Sequence, residues 1–160
     1  MLKEILDPAE CAECRICCGF VESDKWEIPL VFGELAEHLQ SRYPRKLVPR
    51  ANEYVFDMEF HGSEIIPCPA LTDKGCALGD GKPFDCRVWP FRVNDLNGTQ
   101  VITASPVCPA VSKLPLKTIS EFVNGGFSQK MFAEADLHPD MVKPYISGYP
   151  IVCVRNAGEM

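Results

Sequence analysis

The spacing of hydrophobic and polar positions predicts one helix and one strand in the first half of the chain. Apolar residues between Leu30 and Leu39 recur at close to helical intervals, which predicts a helix over roughly 30–42. Over 53–60, aromatic and methionine side chains alternate with other residues, and this period of two is typical of a half-buried strand. Both elements have an apolar face that a small core would cover.

The second half of the chain predicts a hairpin followed by short helices. The Asn-Gly dipeptide at 97–98 is a strong turn signal between two runs of β-forming residues, 91–93 and 99–103. The glycine pair at 125–126 is expected to end the first helix after the hairpin. The remaining elements are predicted over 118–124 and 128–135 for the helices and over 149–154 for a last strand.

Residues 61–90 show neither the apolar spacing of a helix nor the alternation of a strand, and they contain four glycines and four prolines. A structureless loop of this length in a compact domain is either functional or a misread element. It contains Cys68, Cys76 and Cys86, and metal ligands can hold together a segment whose own apolar side chains cannot. We therefore expect a small single α+β domain over 1–160, with few short helices and strands and a long Cys/Gly/Pro-rich loop organised around a metal site.

Composition argues against several classes of partner. The net charge is −6 at pH 7 and no basic run is present, which argues against nucleic acid. No apolar stretch approaches the ~18 residues of a membrane span, and the start of the chain lacks the apolar region of a secretory signal. We expect a cytoplasmic protein without membrane association, in a compartment where disulfides rarely persist. The oligomeric state is left open.

Nine cysteines dominate the chemistry, and four of them lie within eight residues. Cys11, Cys14, Cys17 and Cys18 form a C-x2-C-x2-C-C run. Thiolates are soft donors that suit iron–sulfur clusters, zinc and Cu(I). A curled backbone can turn three such sulfurs to one centre, as the ferredoxin-type run does with a distant fourth ligand. A helix is the alternative, because it places Cys11, Cys14 and Cys18 on one face with Cys17 at its edge.

Four further cysteines have neighbours that suit metal ligation. Cys68 and Cys108 each precede a proline, as does the remote ligand of bacterial ferredoxin runs. Arg87 follows Cys86 and Arg15 lies within the first run, so either cation would offset the negative charge of an all-thiolate site. The predicted metal ligands are Cys11, Cys14, Cys17, Cys18, Cys68, Cys76, Cys86 and Cys108, with Arg15 and Arg87 as cofactor-binding cations.

Two blocks of this sequence carry a family resemblance. One is the run at 11–18, and the other reads Cys68-Pro69-Ala70-Leu71, then Gly75-Cys76, Lys82-Pro83 and Cys86-Arg87-Val88-Trp89-Pro90-Phe91. Together they resemble the YkgJ-type cysteine-cluster family, also called the CxxCxxCC zinc- or iron-chelating domain. Lys82 stands where that family usually has arginine, which keeps the charge but loses bidentate pairing. The resemblance implies metal chelation by the matching cysteines in a metal block over about 11–108, with 109–160 as a C-terminal extension.

Three functions follow from these patterns. The first is an iron–sulfur protein, holding a 4Fe–4S cluster, with a redox or electron-transfer role and a redox or protein partner. The second is a structural zinc module for protein interaction, because zinc sites often draw on separated C-x2-C pairs. The third is an enzyme, because flagellin lysine methylases carry a related cysteine pattern. The spacing and the two Cys-Pro steps favour iron–sulfur, no catalytic residue is assigned, and Cys153, in an apolar run, is expected in the core.

Overall fold

The structure is a computed structural model that describes residues 2–42 and 47–156. It confirms an α+β chain of short helices and several small sheets. The contacts divide the described residues into two compact units. Ala9–Arg87 forms the cysteine unit, and the residues up to Pro8 together with those from Val88 onward form the second unit.

The cysteine unit is built from short elements joined by turns. Short 3₁₀ segments cover Ile16–Cys18, Glu22–Glu27, which has a kink at Asp24, and Gly79–Gly81. The helices and strands are α1 (Pro8–Cys14), β1 (Gly19–Phe20), β2 (Leu30–Val31), α2 (Gly33–Arg42), β3 (Leu47–Arg50), β4 (Glu53–Phe56), β5 (Ile66–Pro67), β6 (Leu71–Thr72), β7 (Gly75–Cys76) and α3 (Phe84–Val88).

The core of the cysteine unit lies on a three-stranded sheet with the order β2-β4-β3. Leu30 pairs with Val55 across it, and both side chains are buried. The prediction of a helix from residue 30 is wrong at its start, because the first two residues pair with β4 and α2 begins only at Gly33, whose φ is 60°. The predicted strand over 53–60 is correct only as far as Phe56.

Residues 61–90 are not the structureless loop that the sequence predicts. They contribute β5, which pairs antiparallel with β1, and the antiparallel β6–β7 hairpin. Helix α3 closes the segment. Strands of two residues are too short for a period to be detected in the sequence, so a pairing with a distant strand cannot be read from either partner alone.

The second unit consists of one sheet and its helices. Its four strands have the order β10-β8-β9-β11, with β10 parallel to β8 and the other pairs antiparallel. A π-helical segment, Val123–Phe127, joins the last two helices. The elements are β8 (Phe91–Leu96), β9 (Thr99–Ala104), α4 (Pro109–Ser112), α5 (Leu116–Phe122), α6 (Ser128–Leu137), β10 (Lys143–Pro144) and β11 (Ile151–Val154).

The predicted hairpin is confirmed, with longer strands than the sequence indicated. Asn97 and Gly98 have φ values of 54° and 85°, the left-handed pair that a two-residue turn requires. Phe91, at the start of β8, is fully buried and meets the ring of Phe127 edge to face, with 5.4 Å between ring centroids. The predicted helices and last strand are also present, but Gly126, with φ of 107°, produces a kink that α6 follows directly, rather than an end.

The helices of the described ranges are short, and the longest have ten residues. Over residues 2–42 and 47–156, no helix combines the length and the apolar character needed to cross a bilayer.

Candidate thiol site

The opening cysteine run is half helix and half turn. Helix α1 carries Cys11 and Cys14 and ends at Cys14. Arg15 then adopts φ 54° and ψ 9°, a left-handed conformation, and a 3₁₀ turn carries Cys17 and Cys18. The interpretation of this run as one continuous helix is therefore wrong, because the backbone turns between its second and third cysteines.

Cys18 lies beside Cys68 although fifty positions separate them in the sequence. The backbone N–H of Cys68 donates to the carbonyl oxygen of Cys18 at 2.7 Å. The β1–β5 pair continues this contact, with Gly19 opposite Pro67. Two cysteines from the two motif blocks are thus brought together by main-chain hydrogen bonds alone.

The β6–β7 hairpin connects Cys68 with Cys76. The N–H of Leu71 donates to the carbonyl of Cys68 at 2.9 Å, and Leu71 pairs directly with Cys76. The hydroxyl of Thr72 donates to the carbonyl of Gly75 at 2.7 Å and closes the turn. Both cysteines are half-buried.

Cys86 is held on helix α3 by its predecessor. The buried carboxylate of Asp85 accepts a hydrogen bond from the backbone N–H of Leu30 at 3.0 Å, and this joins α3 to strand β2. Sequence reasoning missed Asp85. The signal was an acidic residue between Phe84 and Val88 in a short apolar stretch, since an acid in that setting is buried only with a hydrogen-bonding partner.

The vicinal pair has strongly coupled acidities. A side-chain hydrogen bond between Cys17 and Cys18 raises the pKa of Cys17, and burial and the charges of Cys18, Cys86 and Cys11 raise it further. The same hydrogen bond lowers the pKa of Cys18 to about 7, aided by the positive charges of Lys82 and Arg15 and opposed by burial. As the pH rises through about 7, the metal-free pair therefore loses the first of its two protons.

Cys68 titrates in the opposite direction from Cys18. Burial raises the pKa of Cys68 to about 11, and the charges of Cys18 and Cys76 act in the same sense, whereas backbone hydrogen bonds from Ala70 and Leu71 oppose it. Electrostatic interactions thus connect six of the predicted ligands, which come from four separate segments. These are Cys11, Cys17, Cys18, Cys68, Cys76 and Cys86.

The other three cysteines differ in burial and in the unit to which they belong. Cys14 is exposed, one turn after Cys11 on helix α1. Cys108 belongs to the second unit, where it is buried at the start of α4 and its N–H donates to the carbonyl of Ser105 at 3.4 Å. Cys153 is half-buried on β11, so its expected place in the core is wrong.

The two predicted cations occupy different positions. Arg15 donates from Nε to the carbonyl of Ala12 at 3.0 Å and from Nη2 to the carbonyl of Asp73 at 2.7 Å. Arg87 is exposed and lies over the ring of Phe84, with 5.5 Å between the guanidinium carbon and the ring centroid. Arg15 therefore contacts two cysteine-bearing segments, whereas Arg87 covers the apolar start of its own helix.

The donors match a soft metal in chemistry, and the structure brings them together as pairs. In the part of the chain that the structure describes, no group of three or more histidine, cysteine or carboxylate side chains converges closely enough to hold a metal ion. The close pairs are Cys17 with Cys18 and Cys18 with Cys68. Comparisons with protein families, with curated proteins and with solved structures found no match for this chain.

Proposed function

We propose that this chain binds a metal centre through clustered cysteine thiolates, and that the centre is an iron–sulfur cluster with a redox or electron-transfer role. One observation supports the proposal above all. Six thiols from four chain segments interact electrostatically, although a packed core has no need for them to be close. Thiols at this density suit soft-metal ligation, and the resemblance to the YkgJ-type family is consistent with it.

The proposed ligands belong to the cysteine unit. A bound cluster would supply a one-electron couple, and thiols must lose their protons to bind it. Lys82 and Arg15 act on the charge of Cys18 and would offset the negative charge of an all-thiolate site. The proposed ligands are Cys11, Cys14, Cys17, Cys18, Cys68, Cys76 and Cys86. Cys108, which the sequence also predicts as a ligand, lies in the second unit and stays a prediction from the sequence.

A structural zinc site is the second candidate. The observation that favours it is the arrangement of the thiols in pairs joined by short main-chain links, such as Cys18 with Cys68. Structural zinc is held by four tetrahedral ligands that come in spaced pairs. Zinc carries no redox chemistry, so this candidate gives the chain a role in protein interaction.

Anaerobic purification followed by metal analysis and visible spectroscopy tests both candidates. An iron–sulfur centre gives brown protein with broad visible absorption and matching iron and sulfide, whereas zinc gives colourless protein with zinc alone. Cys18→Ser is expected to lower the metal content, because a hydroxyl is a harder and poorer donor than a thiolate. Cys153→Ser serves as the control and is expected to retain it. Protein with neither iron nor zinc above background would end the proposal.

A further inference from the structure

Arg15 has a backbone conformation that its residue type disfavours. It sits at φ 54° and ψ 9°, between the end of α1 and the turn that carries Cys17 and Cys18. The left-handed region is uncommon for residues other than glycine, asparagine and aspartate. Such a conformation persists only where surrounding contacts hold it, and it concentrates at functional sites.

The backbone of Arg15 contacts both halves of the opening run. Its N–H donates to the carbonyl of Cys11 at 3.3 Å, and its carbonyl accepts from the N–H of Cys18 at 2.9 Å. The conformation of Arg15 therefore fixes the position of Cys11 and Cys14, on α1, relative to Cys17 and Cys18, in the 3₁₀ turn.

The side chain of Arg15 reaches a third cysteine segment. Nε stays on the run and donates to the carbonyl of Ala12, whereas Nη2 donates to the carbonyl of Asp73 in the turn of the β6–β7 hairpin, fifty-eight positions away. That hairpin carries Cys76 on its second strand. One guanidinium, through two of its five fixed donors, thus holds the opening run against the hairpin.

We propose that Arg15 is a positioning residue that holds the opening cysteine run against the Cys76 hairpin, so that thiols of both segments can be drawn onto one metal centre. This inference rests on the proposed function, and it assigns Arg15 a role through backbone carbonyls rather than through contact with the metal centre. Outer partners that orient metal ligands are worth about 10–100-fold in metal affinity. A loss of this size is expected when the guanidinium is removed.

Three variants separate the possible contributions of Arg15. Arg15→Gly relieves the left-handed strain and removes the side chain, so it isolates the hydrogen bonds to the two carbonyls. Arg15→Lys keeps the charge but cannot present the planar fork. Arg50→Ala is the matched control, because Arg50 also donates to a backbone carbonyl of the cysteine unit, that of Lys25 at 3.0 Å, and lies on β3 away from the cysteine segments.

Two measurements on the full-length, reduced protein test the proposal. Titration with Co²⁺, followed by the thiolate-to-cobalt absorption, measures metal affinity. Hydrogen exchange of the metal-free protein measures whether residues 71–76 are held. Arg15→Gly is expected to bind Co²⁺ about 10–100-fold more weakly and to lose protection over 71–76, and Arg15→Lys is expected to lose at least part of both. Arg50→Ala should stay within about 2-fold of the parent affinity, and the amides of β8 and β9 should remain protected in every variant.

Each contrary result overturns a different statement. Unchanged protection over 71–76 in Arg15→Gly would show that the guanidinium does not hold the hairpin. Lost protection with unchanged Co²⁺ affinity would show that the hairpin is held but that its position does not matter for metal. Parent-like behaviour of Arg15→Lys in both measurements would show that charge alone suffices. If the parent protein itself binds no Co²⁺, the segments do not share a thiolate site for a single metal ion, and a loss of protection in Arg15→Gly would then leave Arg15 with a purely structural role.

Discussion

The carboxylate of Asp85 accepts the backbone N–H of Leu30 at 3.0 Å, in a buried position, and so couples the residue before Cys86 to the sheet of the cysteine unit. A strand of two residues and a helix of five would hold each other weakly through apolar contacts alone. This hydrogen bond therefore sets where α3, and with it Cys86, lies against β2.

Replacing Asp85 by alanine is expected to destabilise the cysteine unit. The substitution leaves the amide of Leu30 without this buried acceptor, a loss of about 1.5–3 kcal/mol for a hydrogen bond to a charged group. Urea unfolding of metal-free protein measures it. Asp80→Ala, at an exposed position in the Gly79–Gly81 turn, is the control and should stay within about 0.5 kcal/mol. Equal effects of the two substitutions would contradict the role of Asp85.

The thiol of Cys18 is expected to react with iodoacetamide at an unusually low pH in the reduced, metal-free protein. Its pKa is lowered to about 7, chiefly by the hydrogen bond with Cys17, so thiolate accumulates as the pH rises through neutrality rather than near the ordinary value of 9.0. Cys17→Ala removes that hydrogen bond and should move the midpoint of alkylation upward. Peptide mapping by mass spectrometry over a pH series measures it, and an unmoved midpoint would show that Cys17 is not the cause.

The same experiment offers an internal comparison at Cys68. Burial raises its pKa to about 11, so its alkylation at neutral pH should be slow, and it should increase only as the pH rises far above that of Cys18. Equal reactivity of Cys68 and Cys18 at neutral pH would contradict the opposite pKa shifts that their surroundings give these two thiols.

Asp136 and Arg155 form a bidentate ion pair in the second unit. Nη1 of Arg155 donates to Oδ1 of Asp136 at 2.7 Å, and Nη2 donates to Oδ2 at 2.6 Å. Arg155 also lies over the ring of Phe132 and donates to Gln100. The hydrogen bond from Arg155 lowers the pKa of Asp136 below its ordinary value of 3.8. A lowered pKa in the folded state means that the pair stabilises the fold above pH 3.8 and that this contribution is lost as the pH falls through the folded-state pKa.

Asp136→Asn is therefore expected to lower the thermal midpoint at pH 7 and to have a vanishing effect well below pH 3.8. Glu121→Gln is the matched control, because Glu121 and Lys117 form an exposed pair on α5 at 3.8 Å, and such pairs contribute little. If Asp136→Asn lowers the thermal midpoint by the same amount at low pH as at pH 7, the loss of stability does not come from the ion pair.

The sequence could predict the elements whose signals are local. The turn at 97–98 is predicted by residues that tolerate positive φ. Both ten-residue helices are indicated by apolar residues at helical spacing. The helix prediction at Leu30 and Val31 is wrong because two adjacent apolar residues fit a short buried strand and the first turn of a helix equally well. Only their pairing with Val55 and Tyr54 distinguishes the two interpretations, and that pairing is not local.

The candidate site shows the same limit. Cysteine spacing predicts a set of metal ligands, but not that the chain turns at Arg15 or that Cys68 lies against Cys18. Cys68 meets Cys18 through a main-chain hydrogen bond across fifty positions, and the side chain of Arg15 reaches the carbonyl of Asp73 across fifty-eight, so neither contact leaves a trace in the local residue pattern. Asp85 escaped notice for a related reason, since its partner is the main chain of Leu30 rather than a complementary side chain.

Removal of metal should loosen the cysteine unit and leave the second unit intact. In the cysteine unit, the cysteine segments are linked by two-residue strand pairs and by isolated hydrogen bonds, such as those received by Cys18 and Ala70 from the amides of Cys68 and Ala77. The second unit instead has a six-residue hairpin pair and a buried aromatic cluster around Phe91. Local opening follows the number of buried contacts and exposed hydrogen bonds, so the two units should differ.

Hydrogen exchange with and without a chelator measures this difference. Loss of protection is expected at the amides of Cys68 and Ala77, while that of Ile102, fully buried on β9, should be retained. Structural zinc in small peptides contributes about 10–16 kcal/mol, which is as much as the ~5–15 kcal/mol net stability of a whole domain. If the metal organised every element, its removal would therefore unfold the β8–β9 hairpin as well. Equal loss at Ile102 and Cys68 would show that the metal, and not the apolar packing of β8 and β9, maintains the second unit.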